Sequence, residues 1–367
     1  MSDFYVGLMS GTSMDGIDAA LVSFDDQAVV VRATHSQPYS EELKNKLLTA
    51  IRAPLDVQLD PSGELDRQVG ESFRDAALAV IDKSNVSLKD IAAIGSHGQT
   101  LRHQPDADPP FSLQTGNADI IAAGVGITTV ANFRQADIAV GGQGAPLVPP
   151  FHKWLFGSGD VNRVVANIGG IANITVLSAD GSDVMGFDTG PGNGLMDAWI
   201  RQSRALPFDD LGQWAASGNV IDSLLEDFLD DPYFKLAPPK STGFEYFNLE
   251  WIERFDTSSF AAADVQSTLC ALTESTIVNA IRLHAPDTRE VFVCGGGTRN
   301  AELMRRLEQA EATLSVSTTL AVGLDPDWVE AVAFAWLARR TMNGQSGNLP
   351  SVTGATHEVV LGDVHVA

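Results

Sequence analysis

The sequence is poor in residues that mark several large classes of protein, and each scarcity excludes something. It holds two cysteines, Cys270 and Cys294, in 367 residues. Cys294 closes an apolar run that leads into glycines, so a disulfide framework is excluded and a reducing compartment is expected. Basic residues are also few: 24 Lys and Arg stand against 47 Asp and Glu, a formal charge of -23 with no dense basic run. Such a surface serves solubility and repels phosphate backbones and anionic lipid, which argues against nucleic-acid and membrane partners. No apolar stretch is long enough to cross a bilayer, and MSDFYVGLMSG lacks the basic and apolar regions of a signal peptide. A cytoplasmic protein is expected. There is no GxxxxGK[ST] P-loop, since Lys240 in PPKSTG follows prolines, and no metal-site spacing joins His97 to His103.

What is present is enough for a large core. At 44% hydrophobic content and this length, two domains are expected. Apolar runs from Phe4 to Met9, Ile17 to Phe24 and Val29 to Ala33 read as a three-stranded meander with a polar turn after the first strand. Val69, Phe73, Ala76, Ala77, Val80 and Ile81 then recur at helical spacing, before a strand from Ile91 to Ser96. The pattern returns later: RVVANIGG, ANITVL and VMGF supply three strands with a glycine turn, and a helix carrying Leu195, Met196, Trp199 and Ile200 starts after Asn193, a good N-cap. This suggests an architectural duplication with little letter-by-letter identity. A long helix up to His284, a strand from Glu290 to Cys294, three glycines, a helix capped by Asn300 and a helix from Glu330 to Met342 follow. The glycine- and proline-rich stretch at 125–150 marks the boundary, giving domains at 1–130 and 131–350, with 351–367 returning to the first.

Five segments are candidates for chemistry. Gly7 to Asp18, GLMSGTSMDGID, puts small residues between two strands, where backbone N–H groups can approach an anion; a tight hairpin turn has the same composition. NIGGIAN, with Gly169 and Gly170, and VCGGGTRN, with Gly295, Gly296 and Gly297, place glycines directly after apolar strands. A helix follows the second of these, a position suited to phosphate or to a nucleoside lying flat on backbone, although the dinucleotide fingerprint is incomplete. In GFDTGPGNGLMD, Asp188 ends a short strand before a rigid turn, which suits a general base; bracing that turn or capping the helix explains it more simply in isolation. Asp197 reads as a first-turn charge. GSHGQT and ANFRQADIAVGGQGAP offer His97, Gln99, Asn132, Arg134 and Asp137 for a polar sugar pocket, or for ordinary loop hydrogen bonding. Glu330 opens a helix, and its default role is to stabilise that terminus. Paired with Asp188, it would also suit ATP-independent glycoside hydrolysis.

The ordered set GLMSGTSMDGID, GSHGQT, ADIAVGGQGAPLVP, NIGGIANIT, FDTGPGN, PKSTG and CGGGTRN resembles the anhydro-N-acetylmuramic acid kinase family, and the tail from Thr353 to Gly362 also fits. The resemblance implies two related α/β domains of the actin, hexokinase and Hsp70 ATPase fold, facing each other across an ATP cleft. It implies an ATP- and Mg²⁺-dependent enzyme of peptidoglycan recycling that opens the 1,6-anhydro ring with water and phosphorylates O6. On that basis Asp188 is the catalytic base. Gly11, Thr12, Ser13, Met14, Asp15, Gly16, Ile17 and Asp18 hold phosphate, Gly169 and Gly170 lie opposite, and Gly295 to Gly297 flank the nucleoside. His97, Gln99, Asn132, Arg134, Asp137 and Glu330 would meet the sugar, and a homodimer is expected. Two departures stand out: Phe244 precedes Glu245 where the family often has Arg, and the first turn lacks the usual strand-end Asp. Asp15 would take over a metal-facing role there or brace the turn.

Overall fold

The computed structural model describes residues 3–11, 14–53 and 63–367, so Thr12 and Ser13 of the first turn lie outside the described residues. The chain forms two compact units, Met1–Leu155 with Trp328–Ala367, and Phe156–Asp327.

In the first unit, β1 (Phe4–Met9), β2 (Gly16–Asp25) and β3 (Ala28–Pro38) form the meander, and β4 (Ile91–Ser96) lies parallel to β1 on its other side. A hairpin of β5 (Gln99–Gln104) and β6 (Phe111–Thr115) springs from the end of β4. The sheet is completed by β7 (Thr129–Ala131), parallel to β4, and by a final strand, Asp363–His365, antiparallel to β7. The apolar run of β1 is nearly continuous because helices cover both faces. Val6 and Leu8 pack in one core with Phe73, Ala77 and Val80 of the Glu64–Ser84 helix, the face read from the sequence.

The other face explains where this unit ends. Gly7 of β1 and Gly95 of β4 are register partners, and the Val329–Met342 helix lies directly on them. A Cβ at Gly7 would stand 1.8 Å from the Ala331 carbonyl oxygen, and one at Gly95 would stand 2.1 Å from that of Phe334. The Trp154 ring packs against Phe24 and Trp336, with centroids 5.7 and 6.1 Å apart. The first unit therefore extends to Leu155 and takes back everything from Trp328, instead of ending at 130 and recovering only the tail after 350. The sequence boundary followed glycine and proline content, whereas the units follow helix seating.

The second unit repeats the plan. Strands β8 (Arg163–Ile168), β9 (Ile171–Leu177) and β10 (Val184–Pro191) are antiparallel, and β11 (Glu290–Cys294) and β12 (Ser315–Thr318) continue in parallel from β8. Both sheets share one strand order, third-second-first-fourth-fifth, with the same pairing senses. This doubled sheet is the pair of related α/β units that the resemblance implied. Val164, Ala166 and Ile168 share a core with Leu269, Leu272 and Val278 of the Ala262–His284 helix. Asn300 caps the Ala301–Ala310 helix by accepting from Leu303 N at 3.0 Å. Asn193 makes no such bond: it sits in αR backbone and its amide points back to the Ile168 carbonyl at 3.4 Å.

Candidate active site

Asp188 lies within a strand and not at its end, because β10 continues to Pro191. Asp188 pairs with Asn173 and Gly190 with Ala172, which leaves Thr189 as the extra residue of a bulge. A bulge bends its strand and re-aims neighbouring side chains. The Thr189 hydroxyl turns inward onto the Ala172 carbonyl at 3.2 Å. Three contacts hold Asp188 in place. Thr242 N donates to its Oδ2 at 3.0 Å, its own N–H donates to the Lys240 carbonyl at 3.1 Å, and the Tyr233 hydroxyl donates to its carbonyl at 2.8 Å. Burial pushes the carboxyl pKa up to about 6; the Thr242 N–H and the Lys240 ammonium pull it down, and Glu245 pushes it up. Such a group is ionised at neutral pH yet a stronger base than an ordinary carboxylate, which suits proton abstraction.

The Gly169–Gly170 turn is tied to the start of the next helix. Gly192 N and Gly194 N donate to the Gly170 carbonyl at 2.9 and 3.0 Å, and Asn193 N donates to that of Gly169 at 2.8 Å. Phe244 lies over this turn, so closely that a Cβ at Gly170 would stand 2.3 Å from its ring. The glycines expected to face nucleotide thus divide into two groups. At Gly169 and Gly296 a Cβ would meet only ordinary contacts, the Ile171 carbonyl oxygen at 3.6 Å and Asn193 Nδ2 at 3.9 Å, whereas the space at Gly170, Gly295 and Gly297 is filled by Phe244, Asn167 and Ile168 of the protein itself.

In the first unit, the turn after β1 is held from within. The Ser10 hydroxyl lies 2.8 Å from the Gly16 carbonyl and 2.7 Å from Gln99 Oε1, and Gln99 Nε2 donates to the Gly11 carbonyl at 3.3 Å. Gln99, expected at the sugar, is 1% exposed, and both ends of its amide are engaged in this bracing. Gly11 itself is open, with nothing within 4 Å of a Cβ position. The Met14 and Ile17 side chains belong to the core, which leaves only their backbone for a ligand. Asp15 is exposed and pairs with Lys44 at 2.9 Å.

His97 and Arg134 are linked by a bond that fixes the imidazole tautomer. A guanidinium only donates, so His97 Nε2 accepts from Arg134 Nη2 at 2.8 Å and Nδ1 carries the proton, donated to the Gly98 carbonyl at 2.8 Å. Burial, and then the Arg134 charge, push the His97 pKa down to about 3, so the ring is neutral. Arg134 Nη1 donates to the Gly144 carbonyl at 2.7 Å, and Nε has no partner among the described residues. Burial lowers the Arg134 pKa to about 10, with Glu330 opposing, and the group stays cationic. Glu330, in the first turn of the helix seated on Gly7, has its own pKa raised by burial and by Asp18, against Arg134. His97, Arg134, Glu330 and Asp18 thus form one electrostatic cluster.

Two further expected sugar ligands, Asp137 and Asn132, are bonded to other parts of the first unit. Asp137 is fully buried, and its oxygens accept from Gly144 N at 2.8 Å, Asn348 Nδ2 at 2.7 Å and Thr353 Oγ1 at 2.8 Å. It braces the glycine-rich loop to the tail, because a buried carboxylate needs donors and the loop supplies one. Asn132 donates to Asp363 at 2.6 Å, holding the final strand, while with His97 it lines a cavity of about 240 Å³ that also involves Ser96, Gln114 and Asn117. Sequence reasoning missed Tyr233, Thr242 and Ser10. PPKSTG was noticed as a failed P-loop and as one motif of the family set, but a lysine and two hydroxyls in a proline-bound loop do not reveal what that loop touches.

Two sheets of one strand order, with glycine turns after their strands, fit a phosphoryl-transfer class of protein. The chain belongs to the anhydro-N-acetylmuramic acid kinase family, whose sequence model matches residues 3–367. It is 48% identical over 363 residues to the anhydro-N-acetylmuramic acid kinase of Coxiella burnetii (strain RSA 493 / Nine Mile phase I), covering 98% of this chain and 97% of that one. The proteins of that name from Shewanella halifaxensis (strain HAW-EB4) and Xanthomonas campestris pv. campestris (strain 8004) are each 48% identical, over 368 and 370 residues. Both alignments cover 100% of this chain, with 99% and 98% of the respective relatives.

Proposed function

We propose that the chain is an ATP-dependent carbohydrate kinase that hydrolytically opens the 1,6-anhydro ring of anhydro-N-acetylmuramic acid and phosphorylates O6. The products are N-acetylmuramic acid 6-phosphate and ADP, and the setting is cytoplasmic recycling of cell-wall sugar by a homodimer. Family membership and the names of the 48% identical relatives support the substrate. The observation that carries the chemistry is Asp188, a bulge-mounted carboxylate with pKa about 6.

In this reading Asp188, ionised at neutral pH, takes a proton from water as that water attacks the anomeric carbon. The C1–O6 bond breaks, and the departing O6 bonds to the γ-phosphorus as the bond to the ADP oxygen breaks. The charge gathering on O6 is thereby passed to phosphate. Neutral His97 and cationic Arg134 would hold sugar oxygens, with Glu330 beside Arg134, its pKa raised by burial and by Asp18. The open face of Gly11 and the uncrowded faces of Gly169 and Gly296 would let phosphate or nucleoside approach backbone N–H groups. Mg²⁺ would neutralise charge on the phosphates. Among the described residues no group of three or more His, Cys, Asp or Glu could hold a metal, which fits an ion that arrives on ATP and keeps phosphate and water ligands. Asp15, the carboxylate of the first turn that would meet it, is paired with Lys44 at 2.9 Å.

The test is to incubate the protein with anhydro-N-acetylmuramic acid and Mg-ATP and to follow ADP and sugar phosphate by mass spectrometry. Stoichiometric formation of both is expected. Sugar opening without ATP, or no sugar product at all, overturns the reading.

A further inference from the structure

The segment Lys240–Glu245 touches Asp188 and the Gly169–Gly170 turn at once. Its Lys240 carbonyl accepts from Asp188 N, its Thr242 N–H donates to Asp188 Oδ2, and its Phe244 ring covers Gly170 and Gly194. The segment is in turn fixed to Tyr233: Lys240 Nζ donates to the Tyr233 carbonyl at 3.2 Å and lies 4.6 Å from the ring centroid. The Tyr233 hydroxyl returns to the Asp188 carbonyl at 2.8 Å. Asp188, Lys240 and Tyr233 therefore close a ring of hydrogen bonds in which each bonds the next. A cation above an aromatic face strengthens such an anchor, more so where it is desolvated.

We propose that Lys240–Glu245 is a positioning strap for Asp188, with Lys240 anchoring it on Tyr233 and, together with Glu245, setting the field at the carboxylate. The inference rests on reading Asp188 as the base. The charged and titratable groups facing Asp188 are Lys240, Glu245 and the Tyr233 phenol, whose pKa is raised by burial and by Asp188 itself. His284, also in the field of Lys240, packs on Phe187 one residue away, with centroids 5.1 Å apart. Lys240 and Glu245 act on Asp188 with opposite sign. Removing Lys240 raises the carboxyl pKa and removing the Glu245 charge lowers it. A base works when deprotonated, so the acid limb of the rate profile follows those shifts.

The experiment is the pH profile of kcat for sugar phosphorylation in wild type, Lys240→Met, Lys240→Arg and Glu245→Gln, with nucleotide affinity measured alongside. Lys240→Met should move the acid limb up by about 0.5–1 unit, at the low end of what one neighbouring opposite charge confers. Lys240→Arg should restore it, and Glu245→Gln should move it down, by less because Glu245 is exposed and screened. Glu245 is a surface residue, so its variant stays informative if Lys240→Met folds poorly. Limbs that coincide with wild type in both Lys240→Met and Glu245→Gln overturn the strap. Asp188→Asn separates the two levels: wild-type turnover in that variant removes the base assignment, whereas an inactive Asp188→Asn with unmoved limbs removes only the strap.

Discussion

Replacing Gly7 by alanine tests whether helix seating shapes the first unit. The new Cβ would meet the Ala331 carbonyl oxygen at 1.8 Å and Ala335 N at 2.7 Å, where ordinary contact begins at 3.4 Å. Both obstacles are helix backbone, so no side chain can swing away. The Val329–Met342 helix must lift by roughly 1.6 Å over β1, loosening the contacts of Ala331, Phe334 and Ala335, which are 0 to 2% exposed. Overpacking of this kind costs about 1–3 kcal/mol, and rigid obstacles put Gly7→Ala at the upper end. The expected fall in Tm is about 4–10 °C for a unit of this size. Glu330 sits in the first turn of the same helix, so kcat should fall as well, by up to about 100-fold for an ångström-scale displacement. Thermal unfolding and steady-state kinetics measure both. A Gly7→Ala protein with wild-type Tm and kcat would refute the seating argument.

Gly11→Ala is the counterpart, because nothing lies within 4 Å of its Cβ position. Tm should stay within about 1 °C of wild type, as for a surface change of small effect, while the KM for ATP rises. Asp137→Ala removes the acceptor of three buried donors and should destabilise by about 3–5 kcal/mol. At a temperature where it remains folded, its KM for the sugar should match wild type, since Asp137 is read as a brace; a rise confined to the sugar KM would return it to the binding site.

Much of the fold was legible because it follows from local periodicity. The Glu64–Ser84 helix buries the residues whose spacing announced it, and the two glycine-bearing strand units emerge as the two halves of a repeated sheet. The unit boundary was not legible. It depends on Gly7 and Gly95, which read as permissive turn or strand glycines until their neighbours across the sheet are known. The candidate site divides in the same way. Asp188 was visible as an acid followed by a rigid turn, but its bulge, its hold by Thr242 and its raised pKa depend on residues about 50 positions away. The bracing roles of polar residues were hidden for a related reason. Gln99 and Asp137 have the composition of ligands, and only their partners reveal that they brace the protein.

Asp188→Asn bears most directly on the central claim. The amide keeps the size of the side chain and can still accept from Thr242 N, but it cannot take a proton from water. Turnover of anhydro-N-acetylmuramic acid with Mg-ATP should fall by at least about 100-fold, as loss of a general base entails, while nucleotide affinity stays near wild type. Sugar phosphate formed at the wild-type rate by Asp188→Asn would contradict the account.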